Sequence, residues 1–291
     1  MSKVLITHND LDGCVCAILF KTVFSDGVYY LENYDTVDER IKKALENNPE
    51  ILYITDISPS EEVAKIVNCH SFYCEGSEVY QKVFLFDHHK TALDLRNYLW
   101  AQVDPAYCGA RLFYEYLKRY QPVLYPYGEL VWYANDYDLW HHKSSHSAVL
   151  NSLLYTIGHE RFINRFLQNP SVELAEAEKY LLEIEKEKEE KYVQEAVEAT
   201  KVFDTFAITI AERYTSQIGQ KMLEVYPIDI AVIINARKGT VSFRSKETDV
   251  SALAKALGGG GHPKAAGFTL SEDLKYVLHD EIFDLLAEAQ S

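Results

Sequence analysis

Ionisable side chains stand directly after three short apolar segments of the sequence, 3–7, 51–55 and 83–86. An ionisable group beside an apolar core raises the free energy of the fold unless a partner compensates it, and a bound metal ion does so well. A polar turn rich in histidine could explain one such segment. Three segments with the same chemistry favour a metal centre instead. The side chains concerned are His8, Asp10, Asp12, Asp56, Asp87, His88 and His89.

The segments between these groups predict how the side chains come together. Short apolar runs, typical of buried strands, alternate with segments of helical periodicity. This alternation predicts an α/β fold in which helices cover both faces of a parallel sheet. Ligands bind beyond the carboxyl ends of the strands in such sheets, so we expect the ionisable groups to share one sheet edge. The predicted strands are 3–7, 28–31, 51–55, 83–86 and 100–103.

Composition limits the classes of partner. The chain has 291 residues and a formal net charge of −15, which argues against binding long duplex nucleic acid, because that requires a basic surface. A small anionic substrate held by a few local cations is compatible with this charge. No apolar run reaches the roughly 18 residues of a membrane span, and residues 1–3 lead into a strand without a signal-peptide pattern. We therefore expect a cytoplasmic protein without a membrane partner.

The donor atoms indicate which metal would bind. Imidazoles and carboxylates without a thiolate suit hard to borderline divalent ions, and Mn²⁺ fits better than Mg²⁺ or Zn²⁺. The donors exceed the needs of one open site, so we expect two ions that share a carboxylate, as in enzymes of phosphoryl displacement. A further acid, Asp136 or Asp138, follows a helix predicted to end near Tyr133. The spacing leaves open which of the two completes the set.

A long polar helix, predicted over 172–200, separates two domains. Its middle, 185–191, is charged on all sides, and such a helix usually runs through solvent between domains. A surface helix within one continuous domain would also fit. The predicted division is a first domain over 1–170, a helical connector over 171–201 and a smaller α+β domain over 202–291.

A run of glycines in the second domain predicts an anion site. Glycine lets backbone N–H groups approach a phosphate closely, and Arg244 and His262 could add charged donors. An exposed charge on a strand is the alternative explanation for Arg244. The run comprises Gly258, Gly259, Gly260 and Gly261.

These motifs, in this order, resemble the DHH/DHHA1 family of phosphoesterases. The match comprises His8-x-Asp10-x-Asp12-Gly13, Asp56, Asp87-His88-His89, an acid at 136 or 138, and Gly258–Gly261 followed by His262. The resemblance implies a Rossmann-like parallel-sheet DHH domain that binds two Mn²⁺ ions, with Mg²⁺ as a substitute, and a substrate-binding DHHA1 domain. The Asn9 and Cys14 form of the first motif is similar to the nanoRNase and exopolyphosphatase-like branch.

The resemblance also implies roles for individual residues. The first metal would be held by His8, Asp10 and Asp56, and the second by Asp12, His88 and the further acid, with Asp56 bridging. Asp138 is favoured over Asp136, since its Asp-Leu-Trp context is similar to that of the branch. Asp87 would orient the cluster and His89 would face the substrate phosphate. A remote part of the substrate would contact Arg244, Gly259, Gly260, Gly261 and His262.

The implied activity is Mn²⁺-dependent hydrolysis of phosphodiester bonds in short oligonucleotides or small nucleotides. Candidate substrates include 3′-phosphoadenosine 5′-phosphate and the products of cyclic dinucleotides. The closest alternative enzyme is an exopolyphosphatase, whereas the glycine run disfavours an inorganic pyrophosphatase. A non-catalytic nucleotide sensor on the same scaffold is disfavoured because no metal ligand is missing. The sequence leaves base preference and the formation of a homodimer open.

Overall fold

The computed structural model describes residues 2–75 and 77–270. The chain divides into two compact units, Met1–Leu182 (unit 1) and Glu183–Ser291 (unit 2). The described residues of each unit bury hydrophobic clusters of their own.

Unit 1 is built on a five-stranded sheet with the strand order β2-β1-β3-β6-β7. Every neighbouring pair in it is parallel, so the carboxyl ends of all five strands lie at one edge. The predicted parallel sheet is therefore confirmed. In chain order, the strands and α-helices of unit 1 are β1 (Lys3–His8), α1 (Leu11–Val23), β2 (Val28–Glu32), α2 (Val37–Glu46), β3 (Ile51–Thr55), α3 (Glu61–His70), β4 (Phe72–Glu75), β5 (Glu78–Gln81), β6 (Val83–Asp87), β7 (Ala101–Val103), α4 (Gly109–Leu117), α5 (Gly128–Asp138), α6 (Ser145–Ile157) and α7 (His159–Gln168).

Two hydrophobic clusters hold this sheet in place. One includes Phe20 of α1 and Phe113 of α4, and the other includes Ile41 of α2 and Trp100 before β7. All four side chains are almost fully buried, and burying a side chain of this size contributes about 1.5–3 kcal/mol. Because the strands contribute to both clusters, their sequences are apolar runs without the alternation of a half-exposed sheet.

Two features of unit 1 differ from the prediction. The hairpin of β4 and β5 was not predicted, because its residues mix apolar and charged types; its strands are joined by backbone pairing and by Tyr73 stacked on Tyr80 at 5.3 Å. Helix α5 continues beyond Tyr133 to Asp138. No proline or glycine interrupts 129–138, and the first residue after the helix with a left-handed backbone is Trp140, where φ is 54°.

Unit 2 contains a six-stranded sheet with the strand order β12-β13-β11-β10-β9-β8. The β9–β10 pair is parallel, and the other pairs are antiparallel. The predicted α+β character of this unit is therefore seen in its described residues. Helix α8 (Glu176–Glu198) begins in unit 1 and continues into unit 2. The other elements of unit 2 are β8 (Lys201–Val202), β9 (Phe206–Ile210), α9 (Thr215–Val225), β10 (Ile230–Asn235), β11 (Thr240–Ser245), α10 (Val250–Ala256), β12 (Gly260–His262) and β13 (Ala265–Thr269).

The division between the units falls within α8. Leu182 packs against a cluster of unit 1, and Val197 is buried in a cluster of unit 2. Between them the helix carries exposed charges, such as Lys186 and Glu190 at 3.8 Å. The predicted domain limits, 170 and 201, lie on either side of this division. Among the residues that the structure describes, no helix is both long and apolar enough to span a bilayer.

Replacing Gly259 by alanine is expected to lower the stability of unit 2. A Cβ at Gly259 would lie 2.1 Å from the carbonyl oxygen of Gly267, whereas a Cβ at Gly260 would meet no atom within 4 Å. Overpacking typically costs about 1–3 kcal/mol. Thermal unfolding followed by circular dichroism should therefore show a lower midpoint for Gly259→Ala and an almost unchanged midpoint for Gly260→Ala. Equal midpoints for the two variants would contradict the close approach.

Candidate metal centre

The carboxyl edge of the unit 1 sheet gathers the ionisable side chains predicted from the sequence. Strands β1, β3 and β6 are direct neighbours, and each ends in or leads into one of the acidic or imidazole segments. Helix α5 adds Asp138 to the group. The structure therefore brings His8, Asp10, Asp12, Asp56, Asp87, His88, His89 and Asp138 to one region.

The donor atoms of this region form overlapping sets that could hold metal ions. In each set the donor atoms lie within 4.8 Å of one another. Asp56 belongs to two of the sets, and its Oδ1 lies 3.2 Å from His88 Nε2. A carboxylate at this position could serve two ions. The sets are His8, Asp10 and Asp56; Asp12, His88 and Asp138; and Asp56, His88 and His89.

Two buried carboxylates of the cluster, Asp12 and Asp56, and the partly buried Asp138 lack adequate compensation. Burial, and then repulsion by neighbouring carboxylates, raises the pKa values of Asp12 and Asp56, and raises the pKa of Asp138 to about 8. The Oδ2 atom of each is buried and accepts no hydrogen bond within the described structure; that of Asp138 approaches His88 Nε2 at 3.2 Å without hydrogen-bond geometry. A divalent cation would supply the missing positive charge, so the residues fit a metal.

Asp10 is compensated by the protein itself. It caps helix α1 by accepting a hydrogen bond from the backbone N–H of Gly13 at 3.0 Å, and its Oδ2 lies 2.8 Å from His8 Nδ1. Burial opposes ionisation, but the hydrogen bond and the charge of His8 outweigh it and lower the pKa of Asp10 to about 2. This acid is therefore an anion throughout the physiological pH range.

Asp87 and His89 form a second compensated pair. His89 Nδ1 lies 2.7 Å from Asp87 Oδ1, which also accepts the backbone N–H groups of His88 and His89, and Ser58 donates to Asp87 Oδ2. Burial opposes both charges, yet this pairing lowers the pKa of Asp87 and raises that of His89. On its other side, His89 Nε2 lies 3.0 Å from the hydroxyl of Tyr34.

Asp56 is held in a strained backbone conformation. Its φ is 57°, in the left-handed region that few residues other than glycine adopt, and such strain is often stored at functional sites. Gly109, at the start of α4, packs against it: a Cβ there would lie 2.7 Å from Asp56 Cβ. The next residue, Ala110, donates its N–H to Asp12 Oδ1 at 2.9 Å. Helix α4 thus closes one side of the cluster.

The structure places Asp138 in the cluster and Asp136 outside it. Asp136 accepts the backbone N–H groups of Lys143 and Ser144 at 2.9 and 3.2 Å and the hydroxyl of Ser147 at 2.5 Å. Burial opposes its ionisation, but the hydrogen bond from Ser147 and those of the backbone lower its pKa. Asp136 therefore anchors the start of α6 to the end of α5, a role that the sequence did not reveal.

The predicted substrate residues of unit 2 are not gathered at one place. Gly258 and Gly259 line a cavity of about 630 Å³ together with the cations Arg213 and Lys238, which the sequence analysis did not single out. Arg244 lines a different cavity, of about 770 Å³, and donates to Ser216 Oγ at 2.7 Å.

The glycine run is also more regular than predicted. Gly260, Gly261 and His262 form strand β12, which pairs with β13, so only part of the run is a loop. His262 is exposed on this strand and does not line the glycine cavity. Because Gly260 and Gly261 pair with β13, the open loop expected to bind an anion is shorter than the run of four glycines.

Five further residues in or beside the unit 1 site were missed by the sequence analysis. Tyr34, Ser58 and Gly109 contact Asp56, Asp87 or His89 as described above, and Cys108 N donates to Asn135 Oδ1 at 3.0 Å beside them. Tyr34 and Ser58 follow strand ends, which was a usable signal. Neither is an acid or an imidazole, so a search for metal ligands passed over them.

Known proteins are similar to this chain in sequence. Residues 207–289 match the DHHA1 domain family. The oligoribonuclease NrnB of Bacillus subtilis is 30% identical over 310 residues, an alignment that covers 96% of this chain and 75% of NrnB. This chain belongs to the DHH/DHHA1 phosphoesterase family.

Solved structures share the fold of this DHH/DHHA1 chain. The pGpG-specific phosphodiesterase PggH of Vibrio cholerae superposes with a TM-score of 0.56 at 17% identity, over 99% of each chain. An uncharacterized protein from Helicobacter pylori G27 superposes with a TM-score of 0.52 at 18% identity, over 94% of each chain. Identities this low support the family's architecture and leave the substrate to other arguments.

The metal-free protein is expected to lose stability as the pH rises from about 4 to about 8. An unfolded aspartate has a pKa of about 3.9, and folding raises the pKa of Asp138 to about 8. The folded state therefore binds more protons than the unfolded state across this window, so stability falls with rising pH. Asp138→Asn removes one charge of the cluster and should give chelator-treated protein a higher thermal midpoint than wild type at pH 8 and a flatter profile.

Asp136→Asn is the matched control for this experiment. Its carboxylate accepts hydrogen bonds from three groups, and an amide would turn a donor toward one of them, at a cost of about 1–3 kcal/mol for the unsatisfied group. We expect a lower midpoint for this variant near neutral pH. A midpoint of Asp138→Asn at or below that of wild type at pH 8 would contradict the uncompensated charge.

Proposed function

We propose that this DHH/DHHA1 protein is a Mn²⁺-dependent phosphodiesterase that hydrolyses short oligonucleotides or small nucleotides, with two ions bound per chain. The observation that carries the proposal is the cluster at the sheet edge, where Asp12, Asp56 and Asp138 each bury an oxygen without a hydrogen-bond partner. The similarity to oligoribonuclease NrnB supports short oligonucleotides as the substrate class. The cytoplasmic location and a homodimer stay predictions from the sequence.

The proposed ligands follow the donor sets of the structure. His8, Asp10 and Asp56 would hold one ion, Asp12, His88 and Asp138 would hold the other, and Asp56 would contribute to both. Oxygen donors with a minority of imidazoles suit Mn²⁺, and Mg²⁺ accepts a similar set. When bound, such ions lower the pKa of water and neutralise the charge of phosphate oxygens.

The protein's own groups would position the substrate beside this centre. Asp87 at Nδ1 fixes the ring orientation of His89 and raises its pKa, which favours its charged form, and Asp87 is in turn fixed by Ser58. A charged donor held in this way can stabilise the negative charge of a phosphate without reorganising during the reaction. The substrate-binding roles of Arg244, Gly259, Gly260, Gly261 and His262 are part of the same proposal.

The proposal limits the size of the substrate. With a net charge of −15, the protein repels a long polyanion at low ionic strength, and the cavity beside Gly258 and Gly259 is lined by two cations, Arg213 and Lys238. A substrate with a few phosphates gains the local contacts at a smaller cost in repulsion. Dinucleotides are therefore expected to be better substrates than long RNA or long-chain polyphosphate.

The test is hydrolysis by metal-loaded protein with a panel of substrates. Wild-type protein with Mn²⁺ should cleave diribonucleotides, with lower rates on a 20-nucleotide RNA and on polyphosphate. Asp56→Asn removes a ligand of both proposed ions and should lower kcat by more than about 100-fold, because even outer partners of metal ligands cost about 10–100-fold. The matched control is Asp94→Asn, an exposed aspartate outside the cluster, which should retain wild-type rates.

Metal content distinguishes the ways in which this proposal could fail. Elemental analysis of wild-type protein dialysed against Mn²⁺ should give about two ions per chain, and Asp56→Asn should give fewer. Retention of more than about a tenth of wild-type activity by Asp56→Asn would rule out the bridging role. Rapid cleavage of polyphosphate with no cleavage of dinucleotides would instead mean that polyphosphate, and not short oligonucleotides, is the substrate class.

A further inference from the structure

We infer that Tyr34 is a substrate-contacting residue, whose hydroxyl, positioned beside His89, binds a phosphate oxygen of the substrate. This inference rests on the proposed function and extends it to a side chain that no sequence motif singled out.

Tyr34 occupies a fixed position at the sheet edge that carries the acidic cluster. It follows strand β2, the neighbour of β1, and lies in a tight turn. In this turn the backbone N–H groups of Thr36 and Val37 donate to the carbonyl of Asn33 at 3.1 and 3.0 Å, and Thr36 Oγ1 accepts the N–H of Asn33 at 3.1 Å. These hydrogen bonds fix the backbone on both sides of Tyr34.

The ring of Tyr34 lies between two imidazoles of the site. Its centroid is 5.2 Å from that of His8 and 5.9 Å from that of His89, which it meets edge-on at 89°. The side chain is nevertheless 59% exposed, so these contacts do not bury it. A ring that is both oriented by the site and open to solvent is suited to meet an incoming ligand.

The hydrogen bonds of His89 leave its imidazole without a free nitrogen. Nδ1 pairs with Asp87 at 2.7 Å, and Nε2 pairs with the Tyr34 hydroxyl at 3.0 Å. A substrate phosphate can therefore reach His89 only by displacing Tyr34 or by binding to the phenol. The second course keeps both existing contacts of the imidazole.

The chemistry of the Tyr34 hydroxyl suits a contact with phosphate. A tyrosine hydroxyl carries one proton and two acceptor lone pairs and can rotate about its C–O bond, so it can turn its proton toward a phosphate oxygen. An anionic phosphate oxygen favours this arrangement, because hydrogen bonds to charged acceptors are about twice as strong as neutral ones. The contacts from Asp87 through His89 to Tyr34 then end in a hydroxyl on an exposed side chain of the site.

The decisive variant is Tyr34→Phe, which removes the hydroxyl and keeps the ring. The matched control is Tyr120→Phe, at an exposed tyrosine outside the site. Three quantities should be measured for wild type and both variants: the affinity for Mn²⁺ by calorimetry, the affinity of the Mn²⁺-loaded protein for GMP, and kcat/KM on a diribonucleotide. GMP binding needs no turnover, so it tests the phosphate contact independently of activity.

We expect Tyr34→Phe to keep Mn²⁺ affinity within about twofold and to weaken GMP binding by about 10-fold, the factor for a hydrogen bond of about 1.4 kcal/mol to a charged group. The value of kcat/KM should fall by at least as much, and Tyr120→Phe should match wild type. In a His89→Ala background, the same change should have much less effect on GMP binding, because the hydroxyl has lost its holder.

Other outcomes would overturn the inference. Unchanged or tighter binding of GMP to Tyr34→Phe would mean that the substrate displaces the phenol and meets His89 itself. Loss of Mn²⁺ binding would make Tyr34 a support of the metal ligands and not a substrate contact. If wild-type protein binds GMP but cleaves no phosphodiester, the proposed function fails while the phosphate contact of Tyr34 is still measured.

Discussion

Repulsion among buried carboxylates is the constraint on which the rest of unit 1 depends. Asp12, Asp56 and Asp138 come from β1–α1, β3 and α5, and each is pushed toward its neutral form by burial and by its neighbours. The fold must hold them together against this repulsion. It does so with two hydrophobic clusters that fix the sheet and its covering helices, and with Gly109, whose missing side chain lets α4 approach Asp56.

The same site shows what a compensated carboxylate looks like. Asp10 caps a helix and faces His8, Asp87 receives His89, Ser58 and two backbone N–H groups, and Asp136 accepts three hydrogen bonds away from the cluster. The chain thus supplies donors to some acids and withholds them from others a few ångströms away. A divalent cation binds where several carboxylate oxygens without other partners lie close together. The contrast between compensated and uncompensated acids therefore supports a metal site better than the number of acids does.

The sequence was sufficient to predict the parallel sheet and the edge at which the acids meet. Ionisable groups follow the apolar runs, and parallel strands bring the residues that follow them to the same edge of the sheet. It could not predict contacts that depend on neighbouring strands. Tyr34 follows β2, and it belongs to the site because it contacts His89, which is 55 residues away along the chain. The choice between Asp136 and Asp138 likewise depended on α5 continuing to Asp138, which sets where each carboxylate lies.

In unit 2 the sequence predicted residue types better than their grouping. Ser242 of β11 pairs with Gly267, and Arg244 with Ala265, so the two positions lie one repeat apart on the same face of the sheet. One repeat spans about 6–7 Å, enough for Ser242 to line the glycine cavity while Arg244 lines another. Residues that the sequence analysis placed near one anion site can therefore line different cavities.

The central claim, that the acidic cluster is a centre for two cations, is tested most directly by crystallography with Mn²⁺. An anomalous difference map collected at the manganese absorption edge should show two peaks, about 3.5–4 Å apart. One peak should be in contact with His8, Asp10 and Asp56, and the other with Asp12, His88 and Asp138. A single peak outside this cluster, or no peak at saturating Mn²⁺, would contradict the account.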